Sequence, residues 1–155
     1  MTDQANFEFN RRKKAADGHE IIDKATYNKL TRKFLRHGGI IIRGEEADRY
    51  LKQKGAFAAY IVGGNIAIIA DDATVSDVLE EMYHAYQDRV KMFGDVTEND
   101  TIIYRREIDA QKYLLKVSEK YKIPAKEIEV TKANLEFYER KLAQLIEEAK
   151  NYGEE

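Results

Sequence analysis

The sequence contains no cysteine, and this absence excludes several kinds of chemistry together. Disulfide bonds, Cys-ligated zinc, iron–sulfur clusters and thiol nucleophiles all need a cysteine side chain. The groups that remain for catalysis or metal binding are hydroxyls, carboxylates and three histidines, His19, His37 and His84. Any reactive site in this chain must therefore be built from these side chains.

Long apolar segments are also missing. No apolar run approaches the roughly 20 residues that cross a bilayer, and the N-terminus lacks the apolar core of a secretory signal. We therefore expect no membrane partner, and no encoded transport segment is visible. A net charge of −2 gives no overall attraction to nucleic acid, so a nucleic-acid partner is not expected.

The composition is that of one folded domain. The 155 residues are 43% hydrophobic and 35% charged, which is too apolar for a disordered chain. A chain of this length buries about 70% of the surface that its unfolded form exposes. A basic run at residues 11–14 precedes Ala-Ala-Asp-Gly. We interpret residues 1–18 as a basic flexible arm and residues 19–155 as a single domain.

Hydrophobic spacing and turn residues predict an α+β fold. Asp23 is a predicted helix N-cap, and Gly63-Gly64-Asn65 is typical of a tight hairpin turn. The predicted strands cover 40–42, 56–62 and 66–70, and the predicted helices cover about 23–37, 45–54, 75–92, 103–121 and 124–152. We expect a small sheet with the hairpin packed on the helix that begins at Val75, followed by two further helices.

The helix after the hairpin carries the motif with the most chemical meaning, Glu80-Glu81-Met82-Tyr83-His84. Glu80 and His84 are one helical turn apart and project side by side, and Glu81 lies next to them. Twenty-three residues after His84, Glu107 falls on the apolar face of the following helix. A carboxylate there needs a partner, because burying it unpaired costs several kcal/mol or leaves it protonated. Together these side chains could hold one metal ion.

This pattern resembles the zincin metallopeptidases with a glutamate third ligand, in which His-Glu-x-x-His on one helix precedes Glu-x-x-Ala on the next. The resemblance implies that Glu80, His84 and Glu107 are ligands of zinc or another divalent metal. It also implies that Glu81 is the general base that activates water. Glutamate stands at position 80, where the zincin pattern has histidine, and this makes the ion a poorer Lewis acid.

The same resemblance implies a zincin-like fold and the surroundings of the site. Residues 66–70 would form an edge strand that aligns an extended peptide substrate. The phenol of Tyr104 would lie near the metal and support the oxyanion of the reaction. Tyr83 and Tyr86 are interpreted as packing residues without a catalytic role.

A wider resemblance covers residues 38–138. The chain is similar to C-terminal domains of phage head-morphogenesis (MuF-type) minor capsid proteins in three segments, Gly-Gly-Ile-Ile-Ile-Arg-Gly-Glu-Glu-Ala, Leu-Glu-Glu-Met-Tyr-His-Ala-Tyr-Gln and Arg-Glu-Ile-Asp-Ala-Gln-Lys-Tyr-Leu-Leu. The resemblance implies a phage-associated effector or toxin domain that hydrolyses peptide bonds. Its partners would be a protein or peptide target and a cognate immunity protein, and its location would be the cytoplasm or the phage virion.

The residues also leave alternatives open. Glu107 could form a structural ion pair with Arg105, Arg106 or His84 instead of binding metal. Gln111 could orient His84, but an exposed amide is the interpretation that we favour. The rival function is a catalytically degenerate zincin scaffold that binds another protein. An effector that acts on nucleic acid is a weaker third hypothesis, because the basic run lies far in sequence from the acids.

Overall fold

The computed structural model describes residues 7–10, 19–94 and 100–153 of the chain. Its helices and strands follow the predicted order from residue 19 onward, with one additional strand before them. In chain order they are β1 (Phe7–Phe9), α1 (Lys24–Arg36), β2 (Ile40–Ile42), α2 (Glu45–Gln53), β3 (Ala58–Ile61), β4 (Ile66–Ile69), α3 (Val75–Arg89), α4 (Asp100–Lys116) and α5 (Ala125–Gly153). The α+β prediction is confirmed, since the described residues form five helices and a four-stranded mixed sheet.

Local signals start two helices where the sequence predicts. Asp23 caps α1, where its carboxylate accepts a hydrogen bond from the backbone N–H of Thr26 at 2.8 Å. Thr74 caps α3 and forms a capping box with Asp77. Asn65 adopts a φ of 56° in the hairpin turn, a conformation that asparagine tolerates better than most residues. All these contacts are local in sequence, and for this reason residue spacing predicts them.

The strand order is β1-β3-β4-β2, so β4 lies inside the sheet. It pairs antiparallel with β3 and parallel with β2, and both of its edges are therefore occupied. The expectation that residues 66–70 form an edge strand for a peptide substrate is wrong, because an internal strand has no free backbone groups to offer. The strands at the two edges of the described sheet are β1 and β2.

Strand β1 lies within the segment that the sequence analysis assigns to a flexible arm. It pairs antiparallel with β3 and places Glu8 opposite Tyr60. The side chain of Asn10 then bonds the carboxylate of Asp77 and accepts a hydrogen bond from the backbone N–H of Ala58 at 3.0 Å. For residues 7–10 an ordered strand thus replaces the arm. The remainder of the predicted arm, including the basic run, lies outside the described residues.

The sheet has an apolar core on each face, as the period-two alternation of strands requires. One face packs against α1 and α3 through Tyr60, Ala67 and Ile69. The other face packs against α2 through Ala59 and Ile68. Helix α3 also contacts α4, and α5 packs along α4. Because α3 is enclosed by the sheet, α1 and α4, it buries side chains on several faces at once.

None of the helices in the described part of the chain is both long and apolar enough to span a membrane.

Gly39 provides a test of the packing between α1 and β2. A Cβ atom at this position would lie 2.5 Å from the ring of Phe34, which is 2% exposed. We expect Gly39→Ala to lower the free energy of unfolding by about 1–3 kcal/mol, because the buried ring must move. Chemical denaturation measures this effect. Gly153→Ala is the matched control, since no atom lies within 4 Å of a Cβ atom there, and an equal loss in both variants would contradict the predicted packing.

Candidate metal centre

The predicted motif residues lie on the flank of α3 that faces α4. Glu80, Glu81 and His84 are each 1% exposed or less. They are buried because α3 is covered on this flank by α4 and by β1. We use the term acid–histidine cluster for these three residues together with Glu8 of β1 and Glu107 of α4. The cluster therefore combines side chains from three separate elements of the fold.

The two segments that the sequence analysis expects to meet are in contact. His84 Nε2 lies 2.9 Å from Glu107 Oε1, and both side chains are buried. Glu107 reaches this position because it shares a helical face with Ala110 and Leu114, which are buried against the rest of the domain. The structure thus brings Glu107 to His84, while Arg106 pairs with Glu8 and Asp88 and Arg105 is exposed.

The orientation of the His84 ring follows from its hydrogen bonds. Gln87 Nε2 donates to the carbonyl of Arg106 at 2.9 Å and to Asp109 at 3.2 Å, so the carbonyl oxygen of Gln87 must face the imidazole. This oxygen is 2.8 Å from His84 Nδ1 and accepts its proton. The other ring nitrogen, Nε2, is left to face Glu107. Such an anchored Nδ1–H is typical of histidines that bind metal through Nε2.

Glu8 and Arg106 are the residues that the sequence analysis missed. Arg106 is fully buried and forms a two-pronged pair with Glu8, with contacts of 2.8 and 3.1 Å. Its third nitrogen donates to Asp88 at 3.0 Å. Glu8 in turn lies 3.3 Å from His84 Nδ1. The sequence signal for Glu8 was its place between Phe7 and Phe9, because this alternation puts the carboxylate on the face opposite to the two rings.

Glu81 is the least satisfied member of the cluster. Both of its carboxyl oxygens are buried and have no hydrogen-bond partner among the described residues. Burial and the nearby carboxylate of Glu80 raise the pKa of Glu81 well above its ordinary value, although His84 opposes this effect. An isolated buried carboxylate is costly, so this group needs either a proton or a cation.

Glu80 has a clear polar neighbour. Gln111 of α4 donates from Nε2 to Glu80 Oε1 at 3.0 Å, and both side chains are 1% exposed. The preferred interpretation of Gln111 as an exposed amide is therefore wrong. Its position one turn after Glu107 puts it on the face that packs against α3, and the hydrogen bond holds Glu80 in place.

Two groups of side chains in the described residues place their ligand atoms within 4.8 Å of one another. One contains Glu8, His84 and Glu107, and the other contains Glu80, Glu81 and His84. Glu80 and Glu107, the two glutamate ligands implied by the zincin resemblance, fall in different groups, with His84 common to both. Nitrogen and oxygen donors of these types suit zinc and other divalent cations.

The unpartnered atoms of the cluster fit a cation. They are Glu81 Oε1 and Oε2 and Glu107 Oε2, and each is buried without a hydrogen bond in the described residues. His84 Nε2 has only its 2.9 Å ion-pair contact with Glu107 Oε1. Among the described residues, the four carboxyl groups of the cluster are balanced by His84 and by the adjacent Arg106. A bound cation would satisfy the free lone pairs and reduce the excess of negative charge.

Tyr104 lies on α4, three residues before Glu107, and not on a loop. Its ring packs near that of Tyr138, with 6.2 Å between the centroids. Tyr104 and Glu107 line the same cleft of about 800 Å³, which is bounded by β1, α4 and α5. The phenol therefore borders the cleft beside the acid–histidine cluster.

The pair between Arg106 and Glu8 leads to a prediction about stability. Arg106→Leu leaves the carboxylates of Glu8 and Asp88 without their cation, so we expect the free energy of unfolding to fall by about 3–5 kcal/mol. The exposed neighbour Arg105 gives the control, and Arg105→Leu should change stability by less than about 0.5 kcal/mol. Similar values for the two variants in urea denaturation would contradict a structural role for the Arg106 pair.

Glu107 gives the metal-free protein a defined pH dependence. Burial raises the pKa of Glu107 to about 7, although His84 opposes this, while the ordinary value of 4.5 applies to the unfolded chain. The folded chain therefore holds this proton over a range in which the unfolded chain loses it, and stability falls as the pH rises from about 4.5 to about 7. We expect Glu107→Gln to reduce this slope in denaturation experiments with a chelator. Glu129→Gln, at an exposed position of α5, should leave the slope unchanged.

The sequence matches no protein-family model, and comparisons with curated proteins and with solved structures gave no significant match. The function is therefore inferred from the chemistry of the acid–histidine cluster and from the cleft beside it.

Proposed function

We propose that the protein is a metal-dependent hydrolase of peptide bonds, built on a zincin-like arrangement of helix and sheet. The observation that carries this proposal is a set of buried carboxylate oxygens, from Glu81 and Glu107, that have no hydrogen bond in the described residues and lie beside the His84 imidazole. Buried polar atoms nearly always have a partner, and a set of them without one is typical of a catalytic site or of a site that binds an ion or water.

The residues that would hold the ion are His84, Glu107 and Glu80. His84 Nε2 faces Glu107, and its Nδ1 is anchored by Gln87. Glu80 is oriented by Gln111, and ligating carboxylates are commonly fixed by such outer hydrogen bonds. His84 belongs to both candidate groups, so it is the ligand that the two groups share.

The chemistry divides between the ion and the protein. A divalent cation, when bound, supplies a Lewis acid that polarises a carbonyl and makes water more acidic. No donor in the described part of the chain occupies the Glu81 oxygens, so Glu81 would accept a proton from the attacking water and pass it to the leaving amine. A pKa raised by burial suits a carboxylate that must both take up and release a proton.

The cleft of about 800 Å³ supports an extended peptide as the substrate. Four consecutive residues, Phe7 to Asn10, line it. Neighbouring side chains of a strand point to opposite faces of the sheet, so a cleft over one face would contact only every second residue. The cleft therefore runs along the edge of β1, which has one partner strand in the described part of the chain. A peptide added beside β1 would pass Glu107, and Tyr104 would support the oxyanion. In this proposal β1 takes the role expected of residues 66–70.

The biological setting is proposed from the resemblance to MuF-type C-terminal domains. In this setting the protein is a phage-associated effector or toxin domain that acts on a protein or peptide target. A cognate immunity protein would block it, and it would be located in the cytoplasm or the phage virion.

One observation favours a second candidate, a degenerate zincin scaffold that binds another protein without hydrolysis. Glu8, which reaches His84 Nδ1, is already paired with Arg106, and Glu107 is only 4% exposed. If Glu81 and Glu107 hold protons, the cluster needs no metal. Its role would then be to stabilise a surface that binds another protein. The two candidates differ in whether the unaltered protein takes up metal.

Metal content and the role of Glu81 test the proposal together. We expect the purified protein, equilibrated with zinc at neutral pH and then dialysed, to retain a divalent cation. His84→Gln and Glu107→Gln should each abolish retention of the metal, because each removes one of the two proposed ligands whose side chains contact each other. Glu81→Gln should keep the metal and lower the cleavage of a peptide library by about 10²–10⁴-fold, since it removes the proton acceptor.

Two results would contradict the hydrolase. One is the absence of metal retention by the unaltered protein, and the other is full cleavage by Glu81→Gln. Glu80→His distinguishes the hydrolase from the degenerate scaffold, because it places histidine at the position where the zincin pattern has its first ligand. Metal binding and proteolysis that appear only in Glu80→His would support the degenerate scaffold.

A further inference from the structure

A second cleft lies on a different flank of α3 from the acid–histidine cluster. Its volume is about 500 Å³, and it is bounded by α1, α3, the end of α4 and the turn that contains Tyr121. The α3 residues that line it are Leu79, Met82, Tyr83, Tyr86 and, at the end of the helix, Arg89. These follow one another at helical spacing and form a different row from Glu80 and His84. We call this site the tyrosine cleft.

Four tyrosines give the tyrosine cleft its aromatic walls, namely Tyr83, Tyr86, Tyr113 and Tyr121. The rings of Tyr83 and Tyr113 are stacked at 4.2 Å, and the Tyr83 hydroxyl donates to Asp109 at 2.6 Å, which holds this ring in place. Tyr86 lies 5.6 Å from Tyr83 and is 39% exposed. The Arg89 guanidinium lies 5.9 Å from the centre of the Tyr86 ring. The cleft therefore offers a fixed aromatic wall with one exposed ring that has a cation beside it.

Four basic side chains line the same cleft, namely Lys29, Lys33, Arg89 and Lys116. No carboxylate is among its lining residues, and none of the four cations forms an ion pair with a described residue. Lys29 and Lys33 are one helical turn apart, where like charges repel each other. In a chain of net charge −2, this concentration of positive charge at one cleft favours an anionic ligand.

We propose that the tyrosine cleft binds a nucleotide, with the base against Tyr86 and the phosphates between the lysines of α1 and Lys116. Aromatic rings stack on the faces of bases, and lysine ammonium groups bind phosphate oxygens. The apolar part of the lining is supplied by Leu30, Phe34, Leu79 and Met82. The volume falls within the range of about 300–1,000 Å³ that is typical of small-molecule sites.

The combination of features favours a nucleotide over an acidic peptide. An acidic peptide would use the four cations, but its carboxylates gain nothing from a wall of four tyrosines. A nucleotide joins a planar aromatic group to a compact anion, and both parts match what lines the cleft. This inference is independent of the proposed hydrolase, because it uses none of the residues of the acid–histidine cluster.

Binding of ADP to the full chain tests the proposal. Isothermal titration calorimetry follows the binding directly. We expect ADP to bind at least about tenfold more tightly than adenosine or pyrophosphate, because each of these lacks one of the two matching parts. The affinity for ADP should fall as salt is added, since the cations carry part of the binding.

Variants of exposed residues locate the site. Tyr86→Ala should weaken ADP binding by about fivefold or more through the loss of stacking. Lys33→Gln and Lys116→Gln should each weaken it by about three- to tenfold. Lys132→Gln is the matched control on the exposed surface of α5 and should bind ADP as the unaltered protein does. Circular dichroism verifies that each variant is folded.

Several outcomes would overturn the proposal. The first is that ADP binds no more tightly than adenosine or pyrophosphate. The second is that Lys33→Gln and Lys116→Gln bind ADP with the same affinity as the control variant Lys132→Gln. A hexaglutamate peptide that binds as tightly as ADP would assign the cleft to acidic peptides. A short oligoadenylate that binds more than tenfold tighter than ADP would assign it to single-stranded nucleic acid.

Discussion

The buried guanidinium of Arg106 joins the elements that build the acid–histidine cluster. From α4 it binds Glu8 of β1 and Asp88 of α3, and it lies 3.4 Å from the carbonyl of His84. Asp88 in turn accepts a hydrogen bond from the Tyr60 hydroxyl of β3 at 2.6 Å. Because a buried guanidinium must be paired, these contacts fix β1, α3 and α4 relative to one another. The position of every other side chain in the cluster depends on this arrangement.

Arg106 does not neutralise the cluster. Glu80, Glu81 and Glu107 remain beside a single imidazole, and burial makes their negative charge more costly than it would be in water. Without an ion, the cluster adapts by holding protons, since the pKa of Glu81 is raised well above its ordinary value and that of Glu107 to about 7. An ion would replace these protons. A cluster whose burial costs free energy, and whose carboxylates have perturbed pKa values and oxygens without hydrogen bonds, is typical of a functional site.

Helix α3 has two functional flanks in our proposals. One flank carries the acid–histidine cluster, and the other forms a wall of the tyrosine cleft. The enclosure of α3 makes this arrangement possible, because the sheet and α1 supply the apolar burial that holds the helix in place. The remaining flanks can then carry polar and aromatic side chains. Asp109 lies between the two sites, since it accepts hydrogen bonds from Tyr83 and from Gln87, the residue that orients His84.

The sequence alone determined the features that depend on near neighbours: the caps at Asp23 and Thr74, the hairpin turn at Asn65, the spacing of Glu80, Glu81 and His84, and the apolar face that holds Glu107. Helical and turn geometry repeats over a few residues, so these features could be predicted. Tertiary structure decided the partners that lie far apart. Glu8 and Arg106 are 98 residues apart, Gln111 is buried by the packing of α4 on α3, and β4 is internal because β2 pairs with it. Residue spacing carries no information on such pairings, because they arise only when the sheet and the helices assemble.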